Sequence, residues 1–202
     1  MKDVVANTVE LTGTRQMILQ QAEELFAARG YNGVSMREIA EACQVSKAAI
    51  YYHFKNKEDL YIENLVQALE ALKQVVKQAS SKGADCRERM TNIAIAYLDL
   101  MMHKKSLLRL AAERMSEFEA ETEELAVNYH SVIHVLIEPV FADGVARHEF
   151  KPINVSVAAM CFIGMLNAFI IEQIWGGRET ESSTHQDLAD QVVNLLLYGV
   201  TG

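Results

Sequence analysis

Near residue 50 one side of a short helix gathers a lysine, two tyrosines and a histidine. Lys47, Ala48, Tyr51, Tyr52 and His53 occupy the face left over once Ile50 and Phe54, four apart, turn inward with Val45. An ammonium, two phenols and an imidazole are hydrogen-bonding groups that suit phosphate oxygens and base edges. A water-facing helix seldom carries that set without a partner. Such a face fits the major groove of double-stranded DNA.

Other elements must hold that helix in place. Ser35 followed by Glu38 is a capping box, so a helix starts at Met36, with Ile39, Ala40 and Cys43 on its apolar side. Gln44 and Val45 form a turn, and Ser46 caps the second helix. The two make a helix-turn-helix. A further helix precedes it, from about Arg15 to Arg29, with Ile18, Ala22, Leu25 and Phe26 on one face and Gly30 as its stop. Residues 1–12 show no periodicity and read as a mobile arm.

The chain has 202 residues, half of them apolar, and two prolines, which favours an all-α protein of one or two domains. Its formal charge of −8 argues against non-specific coating of nucleic acid. The charge is uneven. Ser35 to Lys57 holds four Lys/Arg against two Glu, whereas residues 61–202 hold twelve against nineteen acidic residues. Cys43, Cys86 and Cys161 fit no metal or disulfide spacing and suit a reducing cytoplasm. No signal peptide is visible. The most apolar run, Val157 to Ile171, falls short of the about 20 residues that span a bilayer. The expectation is a cytoplasmic protein with no membrane partner.

Asn56, with Asp59 three residues on, opens a long helix striped by Ile62, Leu65, Leu69, Leu72, Val76 and Ala79. It leaves the helix-turn-helix and ends in the C-terminal part, so it can carry displacement between them. Asp85 with Glu88 opens another helix, with Met90, Ile93, Ala94, Tyr97 and Met101 inward, and Ser106 starts a shorter one. Glu117 to Glu124 is an acidic solvated stretch. The next helix turns Tyr129, Val132, Leu136 and Val140 inward, and Pro139 should kink it. Two helices close the chain, about Asn154–Trp175 and Thr184–Tyr198. The first is apolar nearly all round and needs cover on both sides. Gly164 lets a neighbouring helix come close. The pair reads as a homodimer interface made by Met160, Ile163, Gly164, Ile171, Leu188, Val192, Leu195 and Leu196.

Tyr97, Tyr129 and Asn167 stand on otherwise apolar faces, either as satisfied core groups or as ligand contacts. With Met101, Met102, Met115, Ile133 and Met165 they outline a soft-walled site for a lipophilic, weakly polar small-molecule effector. His130, His134 and Glu138 have a spacing that holds metals, but they point well away from the inward stripe; neither a metal nor a cofactor is expected. No nucleophile turn or Gly-rich phosphate loop occurs, so an enzyme is not expected.

From Ile18 to Leu60 the chain resembles the TetR family of bacterial transcriptional regulators. The resemblance rests on Arg29-Gly30-Tyr31, on Gly33-Val34-Ser35-Met36-Arg37-Glu38-Ile39-Ala40, and on Val45-Ser46-Lys47-Ala48-Ala49-Ile50-Tyr51-Tyr52-His53-Phe54-Lys55-Asn56-Lys57-Glu58. It implies an N-terminal three-helix DNA-binding domain, residues 13–58, and a larger helical ligand-binding and dimerisation domain, residues 59–202. It also implies phosphate contacts for Ser35 and Lys57. The expected DNA-binding set is Ser35, Arg37, Ser46, Lys47, Ala48, Tyr51, Tyr52, His53, Lys55 and Lys57. Lys47 reaches phosphate or guanine and Ala48 lies against a thymine methyl, while Tyr52 and His53 grip the backbone. The expected protein is a homodimeric repressor on a near-palindromic operator, released by its effector. Two alternatives stand beside it: a TetR-like architectural or cell-division factor without an effector, and a helical lipid- or drug-binding protein. Gln44 departs from the family, which has glycine in this turn; a positive φ there costs roughly 1 kcal/mol. The arm, with Lys2 and Arg15 alone basic, offers little to a minor groove.

Overall fold

The computed structural model describes residues 2–114, 127, 129–175 and 184–199. Among the described residues it is helical without strands: α1 (Lys2–Arg29), α2 (Met36–Ala42), α3 (Lys47–His53), α4 (Lys57–Ser80), α5 (Cys86–His103), α6 (Lys105–Arg114), a π-helical turn (Ile133–Ile137), α7 (Glu138–Ala146), α8 (Val155–Trp175) and α9 (His185–Tyr198). The all-α expectation holds. The chain forms two compact units, Met1–Gln67 with Ser106–Glu117, and Ala68–Lys105 with Phe118–Gly202. The division falls within α4, which contributes residues to both.

In the first unit α1 packs on α2 and α2 on α3. The stretch expected as an arm is helical backbone, since α1 begins at Lys2. An apolar stripe marks a helix that packs. A helix already nucleated extends without one, because each added residue gains a hydrogen bond. Gly30 ends α1 with φ 72°, its N–H bonded to Phe26 O at 2.9 Å. Ile18, Ala22, Phe26, Ile39, Ile50, Phe54 and Tyr61 fill the core. Phe26, Tyr31 and Tyr61 stack in a triangle, with ring centres 5.4 to 6.0 Å apart. Truncating one such ring costs about 3–5 kcal/mol.

In the second unit α5 packs against α9 and also touches α7 and α8. Met90, Ile93, Ala94, Tyr97, Phe141, Phe162, Leu166 and Val193 form its centre. Pro139 lacks an N–H, and its ring clashes with a normal helical carbonyl four residues back. The backbone answers with the π turn just before it: Glu138 N–H reaches back to Ile133 O. The widened turn shifts the inward face. Ile137 is buried where the sequence reading placed Leu136, which is half-buried.

Helix α8 corrects a second expectation. Its apolar stretch is Val155–Ile174, 20 residues of mean hydropathy 1.9, so by length and composition it reaches bilayer-crossing size. Counting from Val157 to Ile171 left out both ends. One face, Ala159, Phe162, Ile163, Leu166 and Ile170, is buried within the unit.

Candidate nucleic-acid interface and effector region

Both caps of the helix-turn-helix form as the residue types dictate. Glu38 N–H donates to Ser35 Oγ at 3.3 Å, while Ser35 N–H and Oγ–H donate to the Glu38 carboxylate at 2.8 and 2.7 Å. Arg29 joins them at 2.6 Å. The Ser35 hydroxyl, then Arg29, hold the Glu38 carboxyl down at about 2. Ser46 Oγ accepts Ala49 N–H at 3.0 Å and starts α3. Between the two helices Gln44 has φ 56°, so the turn keeps the left-handed geometry that glycine serves at no steric cost.

On α3, Ile50 is buried, whereas Lys47, Ala48, Tyr51 and Tyr52 are exposed, Tyr52 by 73 %. Lys47 Nζ sits 5.7 Å from the Tyr51 ring centre. His53 is half-buried against Tyr52 and Phe54. Burial, then the charge of Arg15, lowers its pKa, so it presents a neutral ring. Arg37 is exposed and paired with Glu41 at 2.8 Å. Lys55 and Ser35 are exposed as well. An open concavity of about 520 Å³ brings Ser35, Arg37, Lys47, Tyr51 and Lys57 together with Asn32 and Gly33. Lys57 stands apart from the others: its ammonium donates to Tyr31 O at 2.7 Å and Val34 O at 2.8 Å. The sequence reading took Arg29 and Tyr31 only as part of the family pattern; the Arg29 guanidinium also holds Gly33 O at 2.6 Å. Two of these bonds, Lys57 to Tyr31 O and Arg29 to Gly33 O, end on backbone carbonyls, which carry no sequence signal.

In the second unit, Tyr97, Tyr129 and Asn167 converge from three helical segments. Tyr97 Oη–H donates to Asn167 Oδ1 at 2.6 Å, Asn167 Nδ2–H to Tyr129 Oη at 3.0 Å, and the two hydroxyls lie 2.5 Å apart. With Tyr129 as donor to Tyr97 the ring closes, each member giving one hydrogen and accepting one. Burial, then neighbouring Tyr129, push the Tyr97 phenol well above its ordinary value. Met101, Met102 and Met165 are half-buried and Ile133 is buried. Met115 lies outside the described residues. His134 is exposed and bonded to Glu138 at 2.6 Å.

A concavity of about 710 Å³ lies elsewhere in this unit, lined by Arg87, Phe141, Phe150, Lys151, Leu196 and Tyr198 among others. Of these, the sequence reading had given a binding role to Leu196 alone, and for dimerisation. Phe150 fits because Gly144 has no side chain: a Cβ there would lie 2.3 Å from its ring.

Of the expected dimer residues, Met160, Gly164, Ile171 and Leu195 are exposed and Leu188 and Leu196 half-buried. Ile163 and Val192 are corrections: each is 2 % exposed and belongs to the unit's own core. At about 100° per residue, Ile163 falls with Ala159, Leu166 and Ile170, opposite a stripe of Val157, Met160, Cys161, Gly164, Ala168 and Ile171 that stays exposed.

Residues 18–63 match the sequence pattern described as "Bacterial regulatory proteins, tetR family", and residues 83–200 match "Tetracyclin repressor-like, C-terminal domain". The chain is 35 % identical over 99 residues to the HTH-type transcriptional activator FasR of Mycolicibacterium smegmatis, a match over 49 % of this chain and 45 % of that protein. Two solved structures share the fold. The transcriptional regulator FadR from Bacillus subtilis in complex with stearoyl-CoA has a TM-score of 0.73 at 20 % identity, over 92 % of this chain and 99 % of that one. AibR in complex with isovaleryl coenzyme A and operator DNA has a TM-score of 0.69 at 24 % identity, over 91 % and 98 %. With an N-terminal helix-turn-helix and a C-terminal helical unit both matched, the chain belongs to the TetR family of bacterial transcriptional regulators, which are DNA-binding proteins and not enzymes.

Proposed function

We propose that the protein is a cytoplasmic, homodimeric repressor that binds a near-palindromic operator and is released by a fatty acyl thioester of coenzyme A. The observation that carries the DNA half is the α3 face, where exposed Lys47, Ala48, Tyr51 and Tyr52 stand on a buried Ile50. Arg37, Ser35, Ser46, Lys55 and the neutral His53 ring extend that face over phosphate. AibR supports the reading, having been solved with both an acyl-CoA and operator DNA. Two copies joined through the exposed α8 stripe set the recognition helices about 34–36 Å, or a multiple of it, apart.

The effector half rests on FadR with stearoyl-CoA and on the apolar second unit. An acyl chain suits walls of Met101, Met102, Ile133 and Met165. Its polar group meets the Tyr97–Tyr129–Asn167 ring, which has no unmet hydrogen bond within itself, so the ligand must open that ring and replace its bonds. Helix α4 belongs to both units and carries the change to the DNA-binding one. To turn a 1:99 equilibrium into 99:1, the ligand must prefer the released state by about 5.5 kcal/mol.

Fluorescence anisotropy on fragments upstream of the protein's own gene, followed by titration with stearoyl-CoA and isovaleryl-CoA, tests this. Salt-sensitive, sequence-selective binding reversed by one of them is the expected result. Binding that neither thioester reverses rejects the effector, and absence of selective binding rejects the whole reading. Similarity to the activator FasR favours a second output. A promoter fusion decides it, since reporter expression rises on deleting a repressor and falls on deleting an activator.

A further inference from the structure

The chain doubles back on itself between α7 and α8. Glu149 N–H and Phe150 N–H both donate to Gly144 O, at 2.9 and 3.0 Å. Gly144 has no side chain, so the Phe150 ring lies where a Cβ would come within 2.3 Å of it. The centre of that ring stands 6.1 Å from that of buried Phe141. These bonds fix an aromatic wall to the concavity of about 710 Å³ that also takes in Leu196 and Tyr198 from the end of α9. Its volume falls in the roughly 300–1,000 Å³ range of small-molecule sites. Two large side chains of its lining remain in water, Tyr198 exposed by 66 % and Ile153 by 44 %. The concavity shares no residue with the Tyr97–Tyr129–Asn167 ring.

The charges of the lining are unequally engaged. Asp85 Oδ1 accepts Glu88 N–H at 2.7 Å as the cap of α5. Glu149 accepts Cys86 N–H at 2.7 Å and faces Arg147 Nε at 3.0 Å. Both carboxylates are thus committed to the protein's own donors. The two cations have no carboxylate partner among the described residues. Arg87 donates to the neutral Asn194 Oδ1 at 2.7 Å and lies 5.8 Å from the Tyr198 ring centre. Lys151 has no hydrogen-bond or ion-pair partner among the described residues, and both cations are exposed.

We propose that this concavity is a second ligand site, for a carboxylate on an aliphatic body such as a medium-chain fatty acid. The chain lies against Phe141, Phe150 and Leu196, and the carboxylate meets Arg87 and Lys151. A wall already fixed in place keeps the ordering cost of binding low. Two exposed cations add a preference for the acid of about tenfold over a neutral head group. By bridging the end of α9 and the α7–α8 connection, the ligand stabilises the second unit by mass action. Neither DNA nor the thioester effector is involved, so this site and the regulator reading stand or fall separately.

Decanoate and decanol have equal chains and differ in the charge of the head group. Titration calorimetry of the full-length protein with each, paired with methyl NMR spectra at saturation, tests the site. Decanoate should bind at least about tenfold more tightly than decanol. The methyl signals of Ile153 and Leu196 should shift, while those of Ile133 and Met165 stay in place. Arg87→Gln combined with Lys151→Gln should bring decanoate down to the affinity of decanol. Lys151→Glu alone gives an independent reading, since reversing one charge should weaken decanoate and leave decanol unchanged. The proposal is overturned if decanoate does not bind, if acid and alcohol bind the wild type equally, or if Ile133 and Met165 shift instead. Undiminished decanoate binding in the substituted proteins overturns it as well.

Discussion

Tyr97 and Asn167, seventy positions apart, meet through a hydrogen bond of 2.6 Å in which the buried phenol donates to Asn167 Oδ1. Tyr129 completes the ring. Tyr97→Phe removes a donor and an acceptor at once and strands partners on α8 and beside the π turn. The expected loss is about 1–3 kcal/mol in urea unfolding. An unchanged midpoint would mean that the ring does not form in solution.

The raised Tyr97 pKa gives that ring a pH signature. Above pH 10.0, the ordinary tyrosine value, the unfolded chain surrenders this proton while the folded protein keeps it. The unfolded state then binds fewer protons, so stability falls as pH climbs from about 10 towards the raised folded value. Absorbance titration at the phenolate band should show Tyr97 titrating later than the exposed tyrosines, and Tyr97→Phe should reduce the late amplitude by one tyrosine.

Gln44 carries φ 56° in the turn between α2 and α3. Left-handed backbone costs a residue with a side chain about 1–2 kcal/mol, and glycine gives back about 0.4–1 in chain entropy. Gln44→Gly should therefore stabilise the protein by about 0.5–1 kcal/mol in chemical denaturation. Equal or lower stability would show that Gln44 rests there without strain.

His53 makes the opposite pH statement to Tyr97. Burial and then the Arg15 charge lower its pKa from 6.5, so between 6.5 and the folded value the unfolded chain holds the extra proton. Its contribution is complete above 6.5 and is lost as pH falls through the folded value. Proton NMR of the imidazole should find the midpoint below 6.5, and His53→Gln should flatten the acid side of the stability curve. A midpoint above 6.5 contradicts the burial seen here.

The first unit was legible because its signals are local. A capping box at Ser35 and Glu38, a cap at Ser46 and inward Ile50 and Phe54 each need neighbours no more than four residues away. Tyr97, Tyr129 and Asn167 were legible singly, as polar groups on apolar faces, and their ring adds what only tertiary structure supplies. What escaped was longer-range or backbone-borne. Lys57 looks like any basic residue until the carbonyls of Tyr31 and Val34 are placed, and no side-chain pattern marks a carbonyl. Ile163 and Val192 were misassigned because a helix apolar all round does not say which side its own unit covers. The π turn defeated a fixed 100° period in the same way, moving Ile137 inward.

The exposed stripe of α8 yields the sharpest test of assembly. Ile171 is 55 % and Met160 48 % exposed, and a Cβ added at Gly164 would meet nothing within 4 Å. Burial of a side chain such as Ile171 is worth about 1.5–3 kcal/mol, and a two-fold interface loses it twice. Ile171→Asp should therefore weaken the dimer by about 100-fold or more, read by sedimentation velocity. Cys161 lies on the same stripe and is exposed, whereas Cys86 is buried and its thiol is pushed up to about 11 by burial and the nearby Glu149. Alkylation at neutral pH should then spare Cys86 in every case, be slow at Cys161 in the wild type, and be fast at Cys161 in Ile171→Asp. Equal Cys161 rates in the two proteins, or an undisturbed dimer, would place the interface on another face.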